Sequence, residues 1–300
     1  MKVRIPPAAI YPAGVPGVAA RQLLLSTGLR VRVVESGPPD GRPVFLLHGW
    51  GACIYTFRFL IGALASAGRR VSAVDLRGHG LSEKPVGTGC YGTVSLLDDL
   101  RACLDALGLE RSDIVAHSMG GGVALRFAIA EPERVGRLVL AAPVGLTKIR
   151  YQRVARLMTP AITDRLARFL VPRWVVSFLL HGAYGDPRRV RERDVDQYWA
   201  PTVFPEYYRA VRALLAEFDW RPLARSAIAR VRSPTLVILG GADRLIQGAE
   251  PMAAAIPTVA VRAIRGAGHL AIEEESGRVN DEIVRFLNEN VPVAPSPATS

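Results

Sequence analysis

The sequence of 300 residues lacks several features that mark specialised classes of protein. No apolar run approaches the roughly 18 to 20 residues that a membrane span needs. The opening of the chain carries prolines where a secretory signal would place its apolar stretch, so a cytoplasmic location is expected. Only three cysteines occur, and their odd number and spacing predict neither a disulfide framework nor a zinc site.

Lysine is also scarce, because Lys2, Lys84 and Lys148 are the only lysines among 38 basic residues. The formal net charge is nevertheless +11, and it is carried by arginines spread along the whole chain. A nucleic-acid-binding tract would concentrate such charge, and no DNA- or RNA-binding motif is present, so no nucleic-acid partner is expected. The distribution favours a compositional bias towards arginine, with an anionic membrane surface or an acidic partner as the alternative.

Short apolar runs alternate with helical segments over most of the chain. Runs of this length, bounded by Gly, Asp or Pro, are typical of strands buried on both faces of a parallel sheet. Between two of them, Val94, Leu97, Leu100 and Leu104 recur on one face of a helix. The pattern therefore predicts an α/β fold with a mostly parallel central sheet flanked by helices. The predicted strands are 22–25, 29–35, 44–47, 71–74, 114–116, 138–141, 236–239 and 259–264.

The alternation stops after Pro143, and the next convincing strand begins only at Leu236. An inserted helical cap is therefore predicted at 145–229, between core segments 22–144 and 230–290. Aromatic residues are dense in the cap and predict either an apolar pocket wall or a small core of its own. A leader at 1–21 and a disordered tail at 291–300 complete the division.

Apolar residues at near-helical spacing alternate with arginines in the first part of the cap. This pattern predicts a basic amphipathic lid that either packs permanently on the core or makes a weak contact with an anionic membrane surface. The arginines concerned are Arg150, Arg153, Arg156, Arg165 and Arg168.

A serine lies in a turn between an apolar strand and an apolar helix. The turn is formed by Asp113-Ile-Val-Ala-His-Ser-Met-Gly-Gly-Gly122, in which Ser118 has small neighbours. A sharp, strained turn needs such neighbours, and it holds the serine oxygen at the top of the sheet. The run from His117 to Gly121 resembles the nucleophile elbow of the α/β-hydrolase family, with Ser118 as nucleophile. One departure is Ala116, where the family usually has glycine.

The resemblance implies two partners for Ser118, in the chain order nucleophile, acid, histidine. Asp243 follows an apolar run and a glycine pair at the family's acid position, which implies that it orients the histidine. His269, in Gly266-Ala-Gly-His-Leu270, resembles the family's Gly-His turn and is implied as the general base. The other histidine after Ser118, His181, is expected to be packed or at the surface. The carboxylates of the charged cap segment are expected to be solvated: Asp186, Glu192, Asp194 and Asp196.

Two further segments extend the resemblance, which covers about residues 22–290. Leu47-His-Gly-Trp-Gly51 resembles the family's oxyanion loop and implies that the backbone N–H groups of Trp50 and Met119 stabilise an oxyanion. Asp75-Leu-Arg-Gly-His-Gly-Leu-Ser82 resembles a structural turn of the family, in which Asp75 and Arg77 are expected to fix loops through a local charge-assisted contact. His48 is expected to support the site through hydrogen bonds and not to act as a base.

The resemblance implies a serine hydrolase of the carboxylesterase or lipase type, which cleaves small-molecule esters with an apolar acyl group through an acyl-enzyme. No metal or organic cofactor is implied. A hydrolase of carbon–carbon bonds in ring-cleavage dienoates is an alternative, favoured by Pro143-Val-Gly-Leu146 and cap arginines, although the loop after Gly51 lacks the Pro-Gly usual in that subgroup. A cofactor-free perhydrolase and a non-catalytic binding module also stay open. The serine at 118 argues against epoxide hydrolases and haloalkane dehalogenases, whose nucleophile is aspartate.

Overall fold

The computed structural model of the protein describes residues 10–149 and 171–289. Within them, one eight-stranded sheet has the order β1-β2-β4-β3-β5-β6-β7-β8. The pairings β1·β2 and β2·β4 are antiparallel, and the remaining five are parallel. The predicted α/β class with a mostly parallel sheet is therefore confirmed. The strands are β1 (Val18–Leu24), β2 (Arg30–Ser36), β3 (Arg42–Leu47), β4 (Arg69–Val74), β5 (Ser112–His117), β6 (Val135–Ala141), β7 (Thr235–Gly240) and β8 (Val259–Ile264).

Helices cover both faces of this sheet, so the central strands bury side chains on both sides. In β3, Phe45 and Leu47 join one apolar core together with α2 and α3, while Val44 and Leu46 join a second core with α1 and α10. The helices are α1 (Arg58–Ser66), α2 (Thr93–Ala106), α3 (Met119–Ala130), α4 (Arg173–Ala183), α5 (Glu192–Trp199), α6 (Tyr207–Glu217), α7 (Arg225–Ile228), α8 (Glu250–Ala253), α9 (Ala271–Glu274) and α10 (Ser276–Asn288). Short 3-10 turns occur at Ile54–Phe57, Pro132–Arg134, Pro187–Arg189 and Ala200–Val203.

The N-terminal boundary differs from the expectation. Residues 18–21, which the sequence placed in a leader, form the first half of β1 and pair with β2. Only Leu23 of β1 is buried, and an edge strand exposed on both faces has no apolar alternation to reveal it. Tyr11, in the part of the expected leader that precedes β1, is buried and donates its backbone N–H to Oε1 of Gln197 at 2.9 Å.

The segment between β6 and β7 contributes helices α4 to α7. Arg173 joins α4 to α5 through ion pairs with Glu192 and Asp196, at 2.5 and 2.7 Å. The division into core and cap stays a prediction, and the predicted lid arginines and tail lie outside the described residues. None of the helices in 10–149 or 171–289 combines the length and apolar character that crossing a membrane requires.

Candidate active site

Ser118 occupies a strained turn between β5 and α3. Its φ of 53° lies in the left-handed region, which non-glycine residues rarely adopt and which clusters at functional sites. The strain is held in place by its neighbours: the Ser118 N–H donates to the carbonyl of Ala141 at 2.9 Å, and its own carbonyl accepts from Val144 at 3.0 Å. A Cβ on Gly120 would lie 2.5 Å from the carbonyl oxygen of Leu47, so the following turn requires glycine. The geometry agrees with the sharp turn expected from the sequence.

Asp243 and His269 reach Ser118 from the carboxyl ends of β7 and β8. The Nε2 atom of His269 lies 2.9 Å from Oγ of Ser118, and its Nδ1 atom lies 2.9 Å from Oδ2 of Asp243. The second carboxylate oxygen of Asp243 accepts the backbone N–H groups of Leu245 and Ile246 at 2.7 and 3.0 Å. The three side chains therefore form one continuous hydrogen-bonded chain.

The surroundings of Asp243 favour its charged form. Burial by itself raises the pKa of this carboxyl, but the hydrogen bond from His269 and the two backbone donors outweigh it and bring the pKa below its usual value. An ionised Asp243 can only accept, so Nδ1 of His269 carries the proton in that bond. In the neutral ring with this tautomer, Nε2 can accept the hydroxyl proton of Ser118.

The loop that carries His269 is fixed by the C-terminal end of α4. The His269 backbone N–H donates to the carbonyl of Ala183 at 2.7 Å. One carboxylate oxygen of Glu274 accepts from Gly268 at 2.7 Å and from Gly185 at 2.9 Å. A Cβ on Gly268 would lie 2.4 Å from the carbonyl oxygen of Ala183, so the two segments are in direct backbone contact.

His117, directly before the serine, also supports this loop, and the sequence analysis did not single it out. It is buried, and its Nε2 lies 3.0 Å from the carbonyl oxygen of His269, to which it donates. Burial lowers the pKa of His117 to about 3, with the nearby His269 as a smaller contribution, so the ring is neutral. Its Nδ1 has no partner among the described residues. The only signal in the sequence was a histidine at the end of an apolar strand.

The loop after β3 packs directly against the nucleophile. A Cβ on Gly49 would lie 2.9 Å from Cβ of Ser118. The side chain of Trp50 turns towards α6, where its indole N–H donates to the carbonyl of Val211 at 2.8 Å. Met119 is the first residue of α3, where N–H groups have no acceptor within the helix. In the described part of the chain, neither the Trp50 nor the Met119 backbone N–H has a hydrogen-bond acceptor.

The Asp75 turn is structural, as expected. Asp75 is fully buried and accepts the backbone N–H groups of Ile54 and Leu81, at 2.8 and 2.9 Å. Arg77 makes two hydrogen bonds to Asp99, at 2.6 and 2.7 Å. Each residue fixes a loop through charge-assisted bonds, but the expected local contact is wrong: Asp75 pairs with Arg32 on β2 and Arg77 pairs with Asp99 on α2.

One expectation about the cap carboxylates is wrong. Asp194 is buried and accepts the hydroxyl of Tyr55 at 2.8 Å, with the guanidinium of Arg58 at 3.1 Å. Arg58 also binds the buried Glu273 at 2.5 Å, and Glu273 accepts the hydroxyl of Tyr198. Burial raises the pKa of Glu273, although Arg58 opposes the shift. These contacts join α1 and α5 to α9, the helix that follows His269.

Two other residues of the predicted cap are exposed. His181 is exposed on α4, where its Nδ1 contacts the carbonyl of Ser177 at 2.7 Å. Trp174 is 71% exposed. Trp199 and Trp220 are buried within the two apolar cores, and Tyr207 and Tyr208 are also buried.

The three cysteines, Cys53, Cys90 and Cys103, carry free thiols. In 10–149 and 171–289, no group of three or more His, Cys, Asp or Glu side chains has the arrangement to hold a metal ion.

Comparison with known proteins finds hydrolases that are similar to this chain. A family profile described as the alpha/beta hydrolase fold matches residues 42–276. A 2-hydroxymuconate semialdehyde hydrolase from Pseudomonas putida is 30% identical over 275 residues, covering 89% of this chain and 93% of that protein. Two solved structures share the fold: the 2-hydroxy-6-oxo-6-phenylhexa-2,4-dienoate hydrolase of Rhodococcus sp. strain RHA1 (TM-score 0.77, 22% identity, 91% of this chain and 100% of that chain) and the enol-lactonase of Burkholderia xenovorans LB400 (TM-score 0.74, 22% identity, 90% and 100%).

Proposed function

The chain belongs to the α/β-hydrolase fold family, and from this premise we propose that it is a serine hydrolase that cleaves carboxylic esters through an acyl-enzyme. Family membership supports hydrolysis as the class of reaction. The observation that carries the proposal is the unbroken chain of 2.9 Å hydrogen bonds from Ser118 through His269 to Asp243. A nucleophile, a base and an orienting acid in this geometry suit attack on an acyl carbon.

In the proposed reaction, Oγ of Ser118 attacks the ester carbonyl carbon while Nε2 of His269 takes the hydroxyl proton. His269 then gives that proton to the alcohol oxygen, the bond between acyl carbon and alcohol oxygen breaks, and the acyl group stays on Ser118. A water molecule, deprotonated by His269, then attacks the acyl carbon. The bond from that carbon to Oγ of Ser118 breaks, Oγ takes the proton back from His269, and the carboxylic acid leaves. Asp243 stabilises the imidazolium, and the N–H groups of Trp50 and Met119 stabilise the oxyanion.

The Ser118→Ala variant tests the nucleophile. Hydrolysis of p-nitrophenyl esters should fall by on the order of a millionfold, while the melting temperature stays within a few degrees, because the variant removes only one oxygen. Ser66→Ala, at an exposed position on α1, is the matched control and should retain full activity. A Ser118→Ala protein with more than about a hundredth of the wild-type rate would refute the assignment, given the effect of losing a nucleophile in other triads.

Labelling with a fluorophosphonate separates the enzyme from a binding protein of the same fold. The wild-type protein should become phosphonylated on the peptide that contains Ser118, as measured by mass spectrometry, and Ser118→Ala should not. Folded wild-type protein that stays unlabelled would instead favour a non-catalytic binding module.

A second candidate is hydrolysis of a carbon–carbon bond in a ring-cleavage dienoate. The specific observation in its favour is the 30% identity to the Pseudomonas putida 2-hydroxymuconate semialdehyde hydrolase over nearly the full length of both proteins. p-Nitrophenyl esters of graded acyl chain length should be assayed beside a ring-cleavage dienoate, which is a vinylogous diketone acid. The ester proposal predicts the higher kcat/KM on one of the esters, and a higher value on the dienoate would replace it with the second candidate.

A further inference from the structure

We propose that His48 and His79 are positioning residues that fix the two peptide groups on either side of Trp50. This inference rests on the proposed function, because the direction of the Trp50 N–H matters to catalysis only if it stabilises an oxyanion. Neither histidine belongs to the hydrogen-bonded chain of Ser118, His269 and Asp243. Both are fully buried beside the loop after β3.

His48 fixes the peptide group that precedes Trp50. Its Nε2 accepts the backbone N–H of Leu76 at 2.9 Å, so this nitrogen carries no proton. The proton therefore lies on Nδ1, which donates to the carbonyl oxygen of Gly49 at 2.8 Å. That carbonyl and the Trp50 N–H belong to one planar trans peptide and point in opposite directions. Because His48 holds the Gly49 carbonyl, the Trp50 N–H points away from the His48 ring.

His79 fixes the peptide group that follows Trp50. The backbone N–H of Gly51 donates to its Nε2 at 3.0 Å, and its Nδ1 donates to the carbonyl of Arg77 at 3.0 Å. Gly51 has a φ of 72°, which favours glycine, so the chain turns at this point. With both flanking peptides held, the Trp50 N–H cannot rotate without breaking one of these bonds.

Both arrangements require a neutral ring with its proton on Nδ1. A second proton on Nε2 would face the N–H of Leu76 or Gly51 and break the hydrogen bond. Burial lowers the pKa of both rings; for His48 the nearby Asp75 carboxylate opposes the shift, and for His79 the neighbouring His48 adds to it. The two rings are 5.1 Å apart in an edge-to-face arrangement.

The loop also has supports that do not involve either imidazole. The Trp50 indole N–H donates to the carbonyl of Val211, and the hydroxyl of Tyr207 donates to the carbonyl of Gly51 at 3.2 Å. The Gly49 carbonyl also accepts the backbone N–H of Ala52, at the longer distance of 3.3 Å. Loss of one imidazole bond should therefore change the direction of a peptide group within a loop that stays attached to α6. The expected consequence is a loss of kcat with little change in KM.

Side-chain nitrogen NMR of histidine-labelled protein tests the protonation states without any substrate. His48 and His79 should show the proton on Nδ1 at neutral pH, and His117, which donates through Nε2 to His269, should show the opposite form in the same spectrum. Spectra of the single-histidine variants assign the signals. A proton on Nε2 of His48 or His79, or a charged ring at neutral pH, would overturn the proposal even if the protein has no esterase activity.

Paired substitutions test the consequence for catalysis. At residue 79, glutamine keeps an acceptor near the position of Nε2, while asparagine keeps only a donor near Nδ1. At residue 48 the important group is the Nδ1 donor, so asparagine is the conservative change there and glutamine the disruptive one. The predicted order of kcat is therefore reversed between the sites: His79→Gln above His79→Asn, and His48→Asn above His48→Gln.

The disruptive variants should lose about 100-fold in kcat, as for a lost oxyanion donor, with KM changed by less than about threefold, the split expected when an interaction exists only in the transition state. Their affinity for an arylboronic acid, which mimics the tetrahedral state, should fall by the same factor. The conservative variants should stay within about fivefold of wild type. The same order at both sites, or equal kcat within each pair, would refute the inference. A wild-type protein that neither hydrolyses esters nor reacts with a fluorophosphonate would refute the proposed function instead.

Discussion

At the scale of single residues, Asp243 shows how several bonds determine the part a carboxylate can play. It is buried at the end of β7, where an isolated carboxyl would tend to be protonated. Three donors keep it charged: the His269 ring and the backbone N–H groups of Leu245 and Ile246. The charge in turn places the proton of His269 on Nδ1. One carboxylate thus determines which nitrogen of the neutral His269 ring carries the proton, and leaves the nitrogen that faces Ser118 as the acceptor.

Replacing Asp243 with asparagine should reverse that arrangement. An amide can donate to Nδ1, which would move the proton to Nε2 and prevent His269 from accepting the Ser118 proton. Steady-state kinetics should show kcat lower by about 10⁴-fold, as for orienting carboxylates in other triads, with KM nearly unchanged. Asp105→Asn, on the exposed surface of α2, is the control and should behave as wild type. Full activity in Asp243→Asn would mean that another carboxylate orients His269.

The residues that the sequence identified and those it missed differ in whether a local motif marks them. Ser118, Asp243 and His269 each follow a strand in a short local pattern, so the structure brings together what the motifs indicated. Asp194 was expected in solvent because its own segment is charged, whereas its partners Tyr55 and Arg58 come from a distant part of the chain. Local patterns carry no information on such contacts.

At the scale of elements, the structure ties the loop after β8 to the end of α4. Glu274 accepts three backbone N–H groups, from Gly268, Gly185 and Asp186, at 2.6 to 2.9 Å. A charged acceptor for several buried donors makes strong hydrogen bonds. The position of His269 therefore depends on a helix in the segment between β6 and β7.

Glu274→Gln should weaken this connection. The amide nitrogen of glutamine would face at least one of the three N–H groups, leaving a buried donor unsatisfied. Urea unfolding should show a loss of about 2 kcal/mol in the free energy of unfolding, and kcat should fall because His269 is less firmly held. Glu275→Gln removes the neighbouring carboxylate, which pairs with the half-exposed Arg189, and should cost about 0.5 kcal/mol. Equal losses in both variants would contradict the role of Glu274.

The strands were predicted well where the sequence has a nearly continuous apolar run and poorly at β1. The expected runs for β3 to β8 all lie within the observed strands, including β8, an edge strand in which only Ile264 is buried but most residues are apolar. Most of β1 is exposed and contains Arg21 and Gln22, so the sequence shows no periodicity there. Its pairing with β2 uses backbone groups that side-chain patterns do not report.

At the scale of the whole molecule, three buried histidines link stability to pH. Burial lowers the pKa of His48, His79 and His117, so each ring is neutral in the folded protein and protonates more readily when unfolded. The stability that these groups contribute is present above the unfolded value of about 6.5. As pH falls below it, the unfolded state binds more protons and stability decreases.

His117→Gln should remove one of the three groups that bind a proton on unfolding at low pH. Glutamine keeps a donor for the carbonyl of His269 but does not titrate in this range. Between about pH 6 and pH 4 the free energy of unfolding of the wild type should fall more steeply than that of the variant, by about 1.4 kcal/mol per pH unit. Denaturant unfolding at several pH values measures the two slopes, with His181→Gln on the exposed face of α4 as the control. Parallel slopes would show that His117 is protonated equally in both states.

The contact between His269 and Ala183 also bears on how this protein could be recombined with its relatives. A chimera that takes the whole segment between β6 and β7 from another family member would retain Ser118, Asp243 and His269 in its sequence. The new segment would have to place its own backbone groups where the carbonyl of Ala183 and the N–H groups of Gly185 and Asp186 now hold the histidine loop. A crossover after Asp186 avoids this requirement, because the end of α4 is then inherited together with the core.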